Sequence, residues 1–252
     1  MRETRVIPAL LLKDRGLYKT EKFRKPVYLG DPVNIIRIFN DKEVDEVCVL
    51  DIKTTVENRI PDFEFLEEFS TECFMPVAYG GGLSKMEHLS KLFEIGFEKC
   101  ILNTAFFEHP KLVEEAVREF GSQSIVLSMD VRRNVFKGWT VFSRSGTSKQ
   151  KKKPEEVAQI AENRGIGEIF LTNIDREGTM KGYDLALVEA ISSKVSIPVI
   201  ANGGAGRVED FQNATEKGAS AVAAGAFFVF TGPHKAVLIN TPSVAVLDEK
   251  LS

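Results

Sequence analysis

The sequence predicts a single (β/α)8 barrel built from two duplicated halves. Residues 75–82 and 197–204 both read as apolar residues around a proline followed by glycines, and the corresponding residues lie 122 positions apart. A fixed offset of this length indicates a duplicated half-domain and not a short solenoid repeat. We therefore expect one domain over residues 1–252, with half-barrels at about 1–122 and 123–252.

The number of predicted strands supports the same fold. Short apolar runs alternate with helical patterns, as in βα units around a parallel sheet, and eight such units close a barrel. The eight runs are 5–12, 46–51, 75–79, 99–103, 124–130, 168–172, 197–202 and 219–224. An open doubly wound sheet is the alternative, but two near-equal halves with matching strand ends favour the closed barrel.

The segments between the runs carry helix start signals and helical periodicity. Asp31 is placed to cap a helix whose first turn contains Pro32, and the apolar residues Ile35, Ile36 and Phe39 follow at helical spacing. Further helices are predicted at 110–120, 154–164, 184–193 and 208–217.

Composition excludes some functions without selecting one. The charged fraction of 27%, the hydrophobic fraction of 43% and the net charge of -3 give no reason to expect nucleic acid or a membrane as a partner. Cys48, Cys73 and Cys100 lack disulfide or metal-ligand spacing and read as reduced residues. With no signal peptide or membrane-length apolar run, we expect a soluble cytoplasmic protein.

Glycine-rich segments follow the predicted third and seventh strands, at the barrel end that carries active sites. Glycine lets backbone N–H groups approach an anion, and the helix N-terminus that follows supplies positive potential. The predicted phosphate-binding residues are Gly81, Gly82, Asn103 and Thr104 in one half, and Gly203, Gly204, Ala224 and Gly225 in the other. Simple tight turns are the alternative, but the duplication favours two sites and an elongated ligand phosphorylated at both ends.

No cofactor and no metal ion is expected. The Gly-x-Gly-x-x-Gly dinucleotide fingerprint is absent, which argues against nicotinamide and flavin. His88, His109 and His234 have neither metal-ligand spacing nor a triad arrangement, so the sequence assigns them no role.

Together these motifs resemble the cyclase subunit of imidazole glycerol phosphate synthase over nearly the whole chain. The Asp-Arg-Glu-Gly-Thr and Gly-Ser-Gln blocks are more similar to the cyclase than to the related isomerase of the same pathway. The matching segments are 5–8, 31–33, 79–82, 103–105, 119–123, 171–179, 182–184 and 197–206.

The resemblance implies a glutaminase subunit, bound as a heterodimer at the N-terminal face, that sends ammonia through the barrel to a bisphosphorylated ribonucleotide. The family surrounds the barrel entrance with one Arg, two Glu and one Lys, and this sequence has all four. The predicted ammonia gate is Arg5, Glu46, Lys99 and Glu168. Buried charges are costly unless paired, so we expect mutual salt bridges. A ring that only plugs and stabilises the barrel is the alternative.

The resemblance also implies catalytic residues and shows one departure. Asp130 matches one of two facing aspartates that serve as general acid and base, and Lys19 matches a lysine of the mobile first loop. The other aspartate is replaced by Leu11, which cannot transfer a proton, and Asp14 is a poor substitute because it lies three residues later. The predicted substrate-near residues are Asp51, Thr172, Glu177 and Asn202.

Three functions are compatible with these residues. The first is an ordinary cyclase of histidine biosynthesis, with Asp130 alone doing the acid–base work. The second, favoured by Leu11, is a paralogue that keeps the ammonia entrance but passes nitrogen to another acceptor. Paralogues of this kind accompany a third protein, an amidotransferase that builds acetamidino groups on bacterial surface sugars. The third is a non-catalytic scaffold that activates the glutaminase.

Two local alternatives remain open. The loop at 144–153 follows the predicted fifth strand on the catalytic face and contains a lysine-rich part at 149–153. It is interpreted as solvated surface, or else as a contact for an anionic substrate or a third protein. For Asp130, the non-catalytic alternative is a carboxylate that caps a helix or pairs with Arg132 or Lys13.

Overall fold

The computed structural model describes residues 4–134, 138–232 and 234–251. Its eight parallel barrel strands are β1 (Arg5–Lys13), β2 (Val47–Asp51), β3 (Val77–Gly80), β4 (Lys99–Leu102), β5 (Ile125–Asn134), β6 (Glu168–Asn173), β7 (Val199–Asn202) and β8 (Ala221–Ala224). Each strand pairs with its neighbours in chain order. The sheet closes because β8 pairs with β1, with Ala221 opposite Arg5. The predicted (β/α)8 barrel is confirmed.

Helices cover the outside of the barrel. They are α1 (Pro32–Asp41), α2 (Phe63–Thr71), α3 (Met86–Glu94), α4 (Thr104–Glu108), α5 (Pro110–Phe120), α6 (Pro154–Asn163), α7 (Leu185–Ser192), α8 (Val208–Glu216), α9 (Ala226–Val229) and α10 (Val244–Leu251). Asp31 caps α1 as predicted, accepting a hydrogen bond from the backbone N–H of Asn34 at 2.9 Å. Among the described residues, no helix combines the length and apolar character needed to cross a bilayer.

Alternate side chains on each strand point into the barrel or outwards to the helices. The interior cluster is Ile7, Ala9, Cys48, Ala78, Ile101, Val126, Phe170, Ile200, Ala221 and Ala223, all buried. It fills the middle of the barrel, so the two ends are left for polar groups. Cys48 and Cys100 are buried free thiols and Cys73 is half-buried; burial raises the pKa of all three.

Two β-hairpins on the C-terminal face were not predicted. The first-loop hairpin joins Gly16–Glu21 to Arg24–Gly30 and continues β1. The second continues β5 into Gly138–Ser143. The second strand of the first-loop hairpin is mostly exposed and contains Pro26, so its sequence lacks the apolar–polar alternation that marks a half-buried strand.

The first-loop hairpin lies across the barrel mouth and contacts the loop after β6. The backbone N–H of Lys22 donates to the carbonyl of Glu177 at 3.0 Å. Gly178 has φ 74°, and a Cβ on it would lie 2.3 Å from the carbonyl oxygen of Thr20. Only glycine permits this approach, so the loop after β6 helps to position the hairpin.

Candidate functional site

The N-terminal end of the barrel contains an ionic ring of Arg5, Glu46, Lys99 and Glu168. Arg5 donates to both carboxylates, and Lys99 Nζ lies 2.9 Å from Glu46 Oε2 and 3.0 Å from Glu168 Oε2. Two cations and two anions therefore alternate and balance. The side chains of Glu46, Glu168 and Lys99 are 5%, 12% and 15% exposed, so the ring is largely desolvated.

The mutual salt bridges expected from the sequence are present, while the gating role stays a prediction. Burial works against the charge of Arg5, but the two glutamates overcome it and raise the pKa of Arg5 above its usual value. A buried ion pair in which each charge keeps its partner avoids the large penalty of an isolated charge. The ring is thus a charge-balanced group of side chains that closes the N-terminal end of the apolar barrel.

The opposite end of the barrel opens into a cavity of about 560 Å³. This volume is within the usual range for small-molecule sites. The residues singled out from the sequence for this face all line it: Leu11, Lys19, Asp51, Gly81, Gly82, Asn103, Thr104, Asp130, Thr172, Glu177, Asn202, Gly203, Gly204, Ala224 and Gly225. Folding thus brings both halves of the sequence repeat to one cavity.

The N-half cradle comprises Gly81 and Gly82 after β3 together with Asn103 and Thr104 after β4. Gly81 and Gly82 have φ 131° and 70°, and a Cβ on Gly82 would lie 2.3 Å from Thr54 Cγ2. Asn103 precedes α4 and Thr104 begins it. Close packing and left-handed backbone therefore both require glycine here.

The C-half cradle comprises Gly203 and Gly204 after β7 together with Ala224 and Gly225 after β8. Gly203 and Gly204 have φ 89° and 125°, and a Cβ on Gly204 would lie 2.2 Å from the carbonyl oxygen of Gly182. The two cradles thus repeat one backbone design. Phosphate binding at either of them remains a prediction.

Asp130 is a buried acid of β5 that lines the cavity, with an exposed fraction of 7%. Burial raises its pKa to about 7; the charge of Glu177 adds to the shift and a hydrogen bond from Ser128 opposes it. Ser128 Oγ and Asn103 Nδ2 each lie 3.3 Å from its carboxylate. A group with this pKa can accept or donate a proton near neutral pH.

The cations considered as partners of Asp130 lie elsewhere. Arg132 faces Asp175 at 3.6 Å and stacks on Phe142, and Lys13 lies over the ring of Tyr18. The carboxylate of Asp130 therefore faces the cavity with neutral hydrogen-bond partners.

Leu11 presents a hydrocarbon side chain to the cavity from β1. In a ring of eight strands, β1 and β5 lie opposite each other, so Leu11 and Asp130 line the cavity from opposing sides. Asp14 does not replace the missing carboxylate: it lies in an exposed turn, where Lys53 and Arg59 bind it at 3.1 and 3.2 Å. The cavity thus keeps only one member of the facing pair of aspartates that the family resemblance implied.

Lys19 and Glu177 form a buried ion pair beneath the first-loop hairpin. Glu177 also accepts hydrogen bonds from Thr20 Oγ1 at 3.1 Å and from the backbone N–H of Phe23 at 3.0 Å. The Lys19 side chain passes close to Gly225, where a Cβ would come within 3.1 Å of its Cε atom. Glu177 thus fastens the hairpin over the cavity and directs an ammonium group towards the C-half cradle.

The remaining substrate-near residues have different local partners. Asp51 Oδ1 accepts hydrogen bonds from the backbone N–H groups of Lys53 and Thr54 at 2.8 and 2.9 Å, which orders the loop after β2. Asn202 Nδ2 donates to Thr172 Oγ1 at 3.0 Å across β6 and β7. This amide–hydroxyl pair presents polar groups at the cavity floor.

Sequence reasoning missed several polar residues that line the cavity. Arg59 and Lys85 add cationic groups, Ser128 holds Asp130, and His88 lies behind the N-half cradle. The offset of the internal repeat was an available signal for His88, because it aligns this residue with Asp210 of the second half. In the loop at 144–153, Arg144 and Ser145 line the cavity, whereas the lysine-rich part at 149–153 does not.

These features define a class of protein: a (β/α)8 barrel with an active-site-type cavity at its C-terminal end and an ionic ring at its N-terminal end. A sequence model of the family described as histidine biosynthesis protein matches residues 5–233, and the chain belongs to that family. The resemblance inferred from the motifs is thereby confirmed.

Several relatives match nearly the full chain. A Pseudomonas aeruginosa protein named "Putative imidazole glycerol phosphate synthase subunit hisF2" is 53% identical over 245 residues, covering 97% of this chain and 98% of the relative. A Leptospira interrogans protein named "Putative imidazole glycerol phosphate synthase subunit HisF" is 40% identical and covers 96% of both chains. "Imidazole glycerol phosphate synthase subunit HisF" of Hyphomonas neptunium is 41% identical and covers 91% of both.

Proposed function

We propose that this chain is the barrel subunit of a glutamine amidotransferase complex of the imidazole glycerol phosphate synthase type. A glutaminase subunit would bind the N-terminal face as a heterodimer and release ammonia at the ionic ring. The ammonia would then react in the C-terminal cavity or leave through it to another acceptor. The observation that carries the proposal is the position of the ring and the cavity at opposite ends of one closed barrel.

The apolar interior supports the passage of ammonia. Between the ring and the cavity, the interior cluster consists of hydrocarbon side chains and the neutral thiol of Cys48. Such a lining disfavours the charged ammonium ion and keeps ammonia in its neutral, nucleophilic form. The three free cysteines fit a reducing compartment, which supports the cytoplasm as the location.

The two cradles support a ligand phosphorylated at both ends. Each combines glycines in left-handed backbone with the start of a helix, and they lie on either side of the same cavity. Lys19 adds a cation at the C-half cradle. Phosphate oxygens require such backbone donors and positive potential.

Leu11 favours the paralogue over the ordinary cyclase. Ring closure with two proton transfers needs an acid and a base on opposite sides of the ligand, and general acid–base catalysis contributes about 100- to 10,000-fold. With Leu11 opposite Asp130, one of these groups is absent. We infer that the nitrogen acceptor is another substrate or a separate amidotransferase, such as one that builds acetamidino groups on surface sugars.

A working cyclase is the second candidate, and the pKa of Asp130 favours it. Because the pKa of Asp130 is about 7, its protonated and deprotonated forms are both populated at neutral pH. It could serve first as base and then as acid within one catalytic cycle.

Restoring the missing carboxylate distinguishes the two candidates. The chain is supplied with the bisphosphorylated ribonucleotide and ammonium, and imidazole glycerol phosphate is measured for wild type, Leu11→Asp and the uncharged control Leu11→Asn. We expect trace turnover in wild type and in Leu11→Asn, and about 100-fold more in Leu11→Asp. Wild-type turnover equal to that of Leu11→Asp, and abolished by Asp130→Asn, would establish the working cyclase instead.

A further inference from the structure

The two cradles are backed by different side chains at equivalent positions. His88 and Asp210 are 122 positions apart, and each is the third residue of the helix that follows its glycines, α3 and α8. Both are 7% exposed. The duplication therefore places one buried polar side chain behind each cradle, and the two differ in chemistry.

Asp210 makes fixed contacts with its loop. Its Oδ2 atom accepts hydrogen bonds from the backbone N–H groups of Gly206 at 2.8 Å and Arg207 at 3.1 Å. A carboxylate can only accept, so both backbone donors stay engaged. Neither Gly206, Arg207 nor Asp210 lines the cavity.

His88 makes alternative contacts through one atom. Its Nδ1 lies 3.2 Å from the carbonyl oxygen of Gly82 and 3.4 Å from the backbone nitrogen of Ser84, the equivalent of Gly206. With a proton on Nδ1 the ring donates to Gly82; without one it accepts from Ser84; it cannot do both. Ser84, Lys85 and His88 all line the cavity.

We propose that His88 is a positioning residue that makes the N-half cradle the stronger of the two anion sites. When a phosphate monoester binds, Nδ1 carries the proton and donates to the Gly82 carbonyl, which holds the glycine loop. The Ser84 N–H is then released from the ring and can donate to the anion beside Lys85. Asp210 prevents the equivalent change in the C-half cradle, because Gly206 and Arg207 remain bound to it.

The inference rests on the proposed function, since it assumes that the cradles bind phosphate. Inorganic phosphate is therefore titrated into the full-length chain while amide NMR shifts are followed separately for Gly82 and Ser84 and for Gly203 and Gly204. The C-half shifts report on folding and on the second cradle in the same sample. We expect wild type to bind phosphate more tightly at the N-half cradle, and equal or tighter binding at the C-half cradle would overturn the assignment.

Four variants separate positioning from simple packing. His88→Asn keeps a donor at the place of Nδ1 and should retain N-half affinity. His88→Gln and His88→Leu have no donor at the place of Nδ1. Both should weaken phosphate binding at the N-half cradle by about tenfold and leave the C-half affinity unchanged. His88→Asp introduces the residue type found at the equivalent position, Asp210. It should weaken phosphate binding at the N-half cradle at least as much, because the carboxylate can only accept hydrogen bonds and repels the anion.

Two further results would overturn the assignment while leaving the proposed function intact. One is N-half affinity in His88→Asp equal to that of wild type, since a purely structural cap would be replaced well by the aspartate. The other is an equal loss at both cradles in His88→Leu, which would indicate general destabilisation. If phosphate causes no amide shifts at either cradle of wild type, both the assignment of His88 and the phosphate sites of the proposed function are refuted.

Discussion

Replacing Lys99 by methionine tests how the ionic ring is balanced. Lys99 Nζ contacts Glu46 and Glu168 at 2.9 and 3.0 Å, and both carboxylates are nearly buried. Without Lys99 the ring has two anions and only Arg5 as a cation. Removing one partner of a buried ion pair costs about 3–5 kcal/mol, and we expect the low end because Arg5 still binds both glutamates.

The assay is urea unfolding combined with thermal melting. A loss of about 3 kcal/mol lowers the melting temperature of a chain of this size by about 6–12 °C. Adding Glu46→Gln to Lys99→Met restores the balance of charge and should recover at least half of the lost free energy. The matched control is Lys91→Met, which removes an exposed contact with Glu94 at 3.6 Å and should change stability by less than about 0.5 kcal/mol.

Either of two outcomes would show that charge balance does not stabilise the ring. Lys99→Met could lie within about 1 kcal/mol of wild type, which would mean that water or rearrangement compensates the unpaired carboxylate. The double variant could also be as unstable as the single one, which would mean that packing and not charge balance accounts for the loss.

Two further predictions concern the cavity. Because burial raises the folded-state pKa of Asp130 to about 7 from 3.8, its stabilising contribution is complete below pH 4 and is lost as the pH rises through 7. Asp130→Asn should therefore be more stable than wild type at pH 8, by about 2–4 kcal/mol, and nearly equal at pH 4, as measured by urea unfolding; equal stabilisation at both pH values would contradict this. Glu177→Gln breaks the ion pair with Lys19, so amide hydrogen exchange in the first-loop hairpin should quicken about tenfold while α5 is unchanged; unchanged exchange in the hairpin would show that Glu177 does not fasten it.

The fold was predictable because its signals are local and repeated. The apolar runs, the cap at Asp31 and the glycines after β3 and β7 each act on their own stretch of backbone, and the apolar runs and glycines recur at an offset of 122 positions. The first-loop hairpin was missed because its second strand is mostly exposed, contains Pro26 and shows no apolar–polar alternation. The division into half-barrels near residue 122 stays a prediction.

The residue types at both ends of the barrel were also readable from the sequence. The motif match supplied the four ring residues and the cavity residues, and it identified Leu11 as the departure. It did not supply the partners of those residues. The binding of Asp14 by Lys53 and Arg59, outside the cavity, follows from turn geometry that no motif records.

The sequence alone indicated the chemical groups and the local backbone structure, because local structure depends mainly on neighbouring residues. It showed eight βα units, two glycine-rich strand ends, and a leucine where an acid was expected. Which of these groups contact each other depended on the tertiary structure. Lys19 contacts Glu177, which lies 158 positions later in the sequence, and burial inside the closed barrel raises the pKa of Asp130. Contacts and desolvation depend on distances between residues remote in the chain, and those distances exist only once the sheet has closed.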